Sequence, residues 1–483
     1  MSGPAPLGVY TPVAKENEKF AVSGTQVVRY GAGDKWVARE VTTTGYCNNA
    51  FFGTDPAVGT PKVCQILVPG GGLPVPLPAS APTPTPVVVP QPAPAPPPTP
   101  APVVIGPTWM DNLVITRGGV YRGAWQSTDP FKPAVKLMTK EEVTLIGQTR
   151  SKGAHVQSGM DHTKLIAPDL FGLGLNPDVA GRNFGGFIDL QNFDMADLGN
   201  IEHDHTAGVY LRKWLGLATQ AVTIRIRLYK GLNVEGRMSD GKGGYQQNFY
   251  RLQHLQFNDV KNVPRVLVEW LDLLDEEGKS YVEDKVNISS SSGTDDSPME
   301  FRFIRGNGAH HGWDPGFDSP KYSGGVVIVD GMLGQNIWIH HCAAANSDNY
   351  SFANAGGHRN ITIEDNRAAA LGRWRDGRLS SVKGDASFYN RDYRRHDLYP
   401  GLPAYDVPSI RLRRNYSARS KPTPNNPAAR WDYSLEAGLG TYSENTSYQP
   451  NNAAVPDSEV QKVLSWWEAQ RYSAGVTIGH LGR

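Results

Sequence analysis

The sequence predicts an all-β protein: a right-handed, single-stranded parallel β-helix, preceded by a small β domain and a Pro-rich linker and followed by a C-terminal capping helix. Three observations predict it. Short strands with one apolar face recur through the body of the chain with few hairpin connections. Polar corners, often Asn, close them, as in "GQNIWIHHCAAAN" (334–346), "GGHRNITIEDN" (356–366) and "PSIRLRRN" (408–415). The 483 residues include 52 Gly and 37 Pro at only 39% hydrophobic content, a composition of many turns and short strands.

The first element is a head, residues 1–68. "TQVVRYG" and "KWVAREVTTT" read as strands, with Gly-Ala-Gly-Asp (31–34) as the turn between them. Cys47 and Cys64 lie seventeen apart in this segment, too few for a zinc site, and the reading is one disulfide; two buried thiols are the alternative. Residues 69–107 hold sixteen of the prolines in alternating Ala-Pro and Thr-Pro, a semi-rigid polyproline spacer.

The coil follows, residues 108–450. Its strands include "NLVIT" at 112, "VTLIG" at 143, "RVLVEW" at 265, "DKVNIS" at 284, "MEFRF" at 299 and "GGVVIV" at 324. Each has an apolar face and no local partner to cover it. Stacking successive turns of a coil buries that face and pairs each strand with its equivalent one turn away. An Asn at the corner can bond backbone groups and the Asn of the next turn. The last element, 451–483, is a helix with a capping box at Ser458 and Gln461, an apolar face of Val460, Val463, Leu464 and Trp467, and Gly475 as its stop. It is expected to cover the open end of the coil.

Two stretches carry a resemblance. "SGTQVVRYG", "CNNAFFGTDP" and "KVCQI" resemble a small β module found on many secreted bacterial polysaccharide-active enzymes, although Phe20-Ala21 stand where that module has a further cysteine. The resemblance implies a role in attachment or glycan binding. "GGVYRGAWQSTDPFKPAV", "SDGKGGY", "VEDKVNISSSSGTDDSP" and "GGHRNITIEDN" resemble a bacterial and phage family of right-handed β-helix proteins, over about residues 112–372. The wider pectate-lyase-like superfamily contains lyases, hydrolases, epimerases and tailspikes acting on polysaccharides.

The resemblance implies a polysaccharide partner and a lyase or hydrolase, with a virion-borne tailspike or tail fibre as one setting. The alternative is a non-catalytic glycan- or receptor-binding or structural spike. A net charge of +1 offers no field for nucleic acid, and no run of apolar residues is long enough to span a membrane. The N-terminus carries no Sec signal peptide, so an extracellular or virion location implies release by lysis or another route. In a virion, the head could dock on other virion proteins.

Strand phase nominates the site. With Val282, Val286 and Ile288 inward, Glu283, Lys285 and Asn287 face out and Asp284 sits at a bend. With Met299, Phe301 and Phe303 inward, Glu300 and Arg302 face out. The expectation is one continuous groove in which Glu283 and Asp330 transfer protons, with Asp240 and Lys285 as further catalytic candidates. Lys285 and Arg302 would hold acidic substituents, and Tyr245, Glu300, His311, Trp313 and Trp338 would line the subsites. The competing reading is an ordinary solvated face laced by ion pairs. No cofactor or metal is expected: "EHDH" (202–205) and "AHHGWDPG" (309–316) lack converging ligand spacing, and calcium at "SSSSGTDDSP" (289–298) is unsupported by its spacing.

Overall fold

The computed structural model describes residues 3–4, 10–22, 26–32, 35–41, 43–52, 54–67, 107–309, 325–332, 334–355, 359–379, 386–391 and 409–482. They belong to two compact units, Met1–Gly106 and Pro107–Arg483. Apart from Pro107, the Pro-rich spacer lies outside the described residues, as do His311 and Trp313.

The first unit is a small antiparallel sheet of five strands whose centre is Gln26–Ala32, flanked by Lys35–Val41 and Val63–Leu67. Its core is Phe20, Val28, Tyr30, Val41 and Phe52 packed on the Cys47–Cys64 disulfide, whose Cα atoms are 5.6 Å apart. So small a core gains from a cross-link that restricts the unfolded chain.

The second unit is a parallel β-helix: strands from Leu113–Ile115 to Thr446–Ser447 join one parallel sheet of 25 strands. Each strand pairs with its equivalent one turn on. Gln253–Asn258 pairs with Asp284–Ser289, and that with Gly325–Asp330. Met299–Ala309 bends, pairing first with Gln335–His340 and then with Ala343–Ser347. The pairings resolve into three columns, the three faces of the coil. Gln253–Asn258, Asp284–Ser289 and Gly325–Asp330 lie on the first face. Gln335–His340, Arg359–Glu364 and Ile410–Arg413 lie on the second. Ala343–Ser347, Arg367–Ala370 and Tyr416–Arg419 lie on the third.

The interior is built by in-register apolar columns. Ile337, Ile361 and Ile410 stack on one another, as do Ile339, Ile363 and Leu412, and all are buried. Burying each such side chain contributes about 1.5–3 kcal/mol.

Between the second and third faces the chain turns through a left-handed residue in successive turns: Trp270, Phe303, His341, Asp365 and Arg414, with φ of 58°, 53°, 55°, 55° and 54°. Phe303 therefore points outward, stacked on Trp270 at 4.2 Å, and Ile304 takes the interior position expected of Phe303. In the last turns Asn366, Asn415 and Asn445 follow the left-handed residue and form a ladder. Asn366 Nδ2 donates to Asn415 Oδ1 at 3.2 Å, and Asn415 Nδ2 donates to Asn445 Oδ1 at 3.0 Å and to the Ile363 carbonyl at 2.9 Å.

The C-terminal helix, Asp457–Ser473, lies on the flank of the third face instead of over the open end. Val460, Val463 and Trp467 pack on Ala343, Ala345, Ala369 and Ala418, small residues that let a helix approach the sheet closely. The tail continues along that face: Gly479 N–H bonds the Leu228 carbonyl at 2.9 Å, and His480 Nδ1 meets Asp169 Oδ1 at 2.8 Å.

Asn415→Ala should lower stability by about 1–3 kcal/mol, because it leaves buried backbone and Asn groups unpaired on both sides. Asn445→Ala, at a half-buried rung, should cost less, and urea denaturation of the two variants checks the order.

Candidate functional site

The second face carries a strip built by register. Asp197, Arg225, Leu267, Glu300, Trp338, Thr362 and Arg411 occupy one outward column on successive strands. Glu269, Arg302, His340, Glu364 and Arg413 occupy the next. Equivalent residues on neighbouring turns stand about 4.8 Å apart. Two open depressions of about 410 Å³ each share Pro298 and Trp338. One is lined further by Arg225, Arg265 and Glu300, the other by Thr362, Glu364, Arg411 and Arg413.

Trp338 is held in place. Its Nε1 donates to Glu364 Oε1 at 2.8 Å, and its ring stacks on His340 with centroids 4.0 Å apart. Arg302 donates to Glu269 Oε2 at 2.9 and 2.7 Å and to Glu300 Oε1 at 2.8 Å, and His340 Nε2 meets the same Glu300 oxygen at 3.0 Å. The hydrogen bond from His340 and the charge of Arg302 hold the Glu300 carboxyl below its usual range. Burial pushes the Glu364 carboxyl up, but bonds from Arg413 and Trp338 outweigh it and keep the group low. These carboxylates are ionised and partnered at neutral pH, so the strip offers fixed hydrogen-bonding groups and an aromatic surface. Arg411 is exposed and has no carboxylate partner among the described residues.

Of the residues the sequence nominated, Glu300, Arg302 and Trp338 come together on this strip. Asp240, Tyr245, Glu283, Lys285 and Asp330 do not, and the single groove breaks up. Lys285 is fully buried, with Nζ bonded to Asp275 and to the Asn307 carbonyl at 3.0 Å. Strand alternation fails there because successive residues are both buried within one strand, Lys285 and Val286, as are Val326 and Val327 one turn later. Asp240 caps a turn, accepting from the N–H groups of Lys242 at 2.7 Å and Gly244 at 2.9 Å. Tyr245 stacks on Arg237 at 4.1 Å, and Arg237 is held by buried Glu235, so both nominated residues fasten a hairpin.

Glu283 and Asp330 are on the first face, away from the strip. Glu283 is largely covered, with 17% of its side chain exposed; its Oε2 accepts from Gln253 at 2.6 Å and Arg251 lies 3.7 Å away. Asp284 beside it accepts from Asn287 Nδ2 and Gly325 N–H, both at 3.0 Å. Burial, then the charge of Asp284, push the Glu283 carboxyl up to about 8. Burial raises that of Asp284 to about 6, helped by the charge of Asp330. This corner can hold and release a proton near neutral pH.

Lys285 belongs to a buried hydrogen-bonded chain through the interior. His203 Nε2 meets His254 Nδ1 at 3.3 Å, His254 Nε2 meets Asp275 Oδ2 at 2.9 Å, and Asp275 meets Lys285. Burial pushes both imidazoles and the ammonium down. Burial would raise the Asp275 carboxyl, but the charges of Lys285 and His254 reverse that and hold it well below the carboxylate range. The chain is a structural brace. Among the described residues no three metal-ligating side chains converge.

Sequence reasoning missed Glu269, His340, Glu364 and Arg413. Aligning "VLVEW", "MEFRF", "NIWIH", "NITIE" and "SIRLR" on their apolar pairs brings these residues and Arg302 into one column, so the signal was present in the period of the coil.

The carboxyl corner sets a pH signature. Three interior histidines, His155, His203 and His254, have folded pKa values below 6.5, so they add stability as pH rises to about 6.5 and nothing beyond it. Glu283 is raised above its unfolded value of 4.5, so the folded state holds the extra proton and stability falls as pH rises towards about 8. His205, raised above 6.5 by its bond to Asp204, loses stabilisation in the same window. Thermal melts should therefore show Tm declining between pH 6.5 and 8, and Glu283→Gln should reduce that decline without abolishing it. An unchanged slope in the variant would place the titration elsewhere.

No family model and no solved structure matches the chain, and its site is defined by its own geometry.

Proposed function

We propose that the coil is a polysaccharide-binding protein that takes an extended glycan along the Trp338 strip. The observation that carries this reading is the pair of depressions meeting at a pinned indole on one straight strip. A polymer needs several adjacent subsites, and a flat parallel face supplies them at the spacing of its turns. An indole face packs on the apolar side of a sugar ring, while partnered carboxylates and guanidinium groups accept from and donate to hydroxyls without reorganising. The body's resemblance to a family of right-handed β-helix proteins, in a wider superfamily that includes enzymes and tailspikes acting on polysaccharides, is in keeping with this reading, with an extracellular or virion-borne spike as the setting.

One observation favours catalysis as a second reading: the Glu283–Asp284 corner carries carboxyl groups raised towards neutral pH. A lyase or hydrolase acting on a bacterial surface polysaccharide would use Glu283 there as its acid or base, on a face other than the strip.

Titration of the full chain against a panel of bacterial capsular and extracellular polysaccharides tests both. Trp338→Ala should weaken binding of the glycan by about tenfold or more, a cost of at least about 1.4 kcal/mol. Undiminished binding by that variant removes the strip from consideration. Release of reducing ends or unsaturated sugars by the parent, abolished in Glu283→Gln, would establish the catalytic reading; intact polymer after long incubation leaves a binding protein.

A further inference from the structure

We infer that a pocket at the corner between the second and third faces is an anion subsite, so that the glycan bound on the strip is acidic. The inference rests on the strip reading and adds the chemical class of its ligand. The pocket, about 550 Å³, is lined by His341, Asp365, Arg367, Arg414, Tyr416 and Trp466, with Glu459 and Lys462 at its helix side. It adjoins the strip through Arg414, which donates to Glu364 Oε2 at 2.8 Å and to Asp365 Oδ2 at 2.7 Å.

The charges in the pocket pair off except for one. Arg414 is matched by Asp365 and Glu364, and Lys462 by Glu459, whose other oxygen accepts from Tyr416 at 2.6 Å. Arg367 has no carboxylate partner among the described residues. Its guanidinium lies 4.5 Å from the Trp466 ring centroid, stacked and oriented but not neutralised. Arg305 gives the contrast: it sits in the same outward column two turns earlier and is paired with both Asp272 and Glu468. On the strip Arg302 and Arg413 are likewise neutralised, while Arg411, and Arg265 bonded only to the Ala218 and Gln220 carbonyls, have no carboxylate partner among the described residues.

A planar guanidinium held by an aromatic ring, open to an adjoining groove, matches the two oxygens of a sugar carboxylate. This assignment replaces the anion-holding roles expected of Lys285 and Arg302, since the first is interior and the second is saturated by Glu269 and Glu300.

The test uses alginate, hyaluronate and galacturonate oligosaccharides, each beside its carboxyl-reduced neutral form, titrated into the full chain. At least one acidic oligosaccharide should bind about tenfold to a hundredfold more tightly than its reduced form. Arg367→Gln should remove that difference and Arg367→Lys should restore part of it, both with parental melting temperatures. Trp338→Ala should weaken both forms alike. If Arg367→Gln leaves the preference intact, or if only neutral glycans bind while Trp338→Ala still weakens them, the anion subsite is refuted and the strip stands. If neither variant alters binding of a glycan, the strip falls as well.

Discussion

In-register stacking governs this molecule: a residue within the coil must suit its equivalents one turn before and one turn after, about 4.8 Å away on either side. Inside, the rule becomes one of volume. His203 can occupy the interior because Gly172 and Gly231 stand next to it in the column; a Cβ at Gly231 would come within 2.3 Å of His254 Nδ1. Outside, it becomes one of charge. Asp197 stands beside Arg225, Glu202 beside Lys230, Glu269 beside Arg302 and Glu364 beside Arg413, so neighbouring turns attract. At the corners it becomes one of backbone geometry, since bulky residues such as Trp270 and Phe303 are held at positive φ, a conformation that only the stacked neighbours make tolerable.

The same rule explains why a coil with an apolar lumen tolerates a charged chain within it. Asp275 and Lys285 are each fully buried, and their mutual attraction with the histidine and backbone bonds around them offsets the loss of water. Removing one member would strand the other in the buried interior. The brace adds an interior tie between turns already joined by sheet bonds, apolar contacts and outward ion pairs such as Glu202–Lys230.

How much of this could be read from the sequence depends on where a residue stands relative to a corner. Along the straight runs alternation was enough: Ile337 and Ile339, Ile361 and Ile363, and Ile410 and Leu412 all face inward, and Glu300, Arg302 and Trp338 face out together. The Asn at the ends of these runs bond as corner residues should. Elsewhere alternation misled. Lys285 was assigned outward and Phe303 inward, and both are reversed: the left-handed backbone at Phe303 breaks the two-residue period, and Lys285 is buried beside an equally buried Val286. Glu283 just ahead of its strand and the hairpin holding Asp240 and Tyr245 lie beyond the reach of phase altogether. The alanines of "HCAAAN" and "NRAAAL" were a further signal: outward positions filled by the smallest apolar side chain mark where a helix lies against the sheet.

That helix and its tail change the kind of molecule the coil is. A solenoid whose turns touch only their neighbours behaves as a one-dimensional chain, able to fray from either end. Here residues 457–482 run back along one face, from the Tyr416–Glu459 bond near the final turns to the His480–Asp169 contact among the early ones. Turns far apart in sequence are thereby coupled, and fraying at one end must also release the tail that holds the other. Because the helix and tail follow every turn of the coil in sequence, the alanine flank stays uncovered until they have been synthesised. The latch closes on a coil already assembled, and its closing joins a stack of nearly independent turns into one cooperative unit.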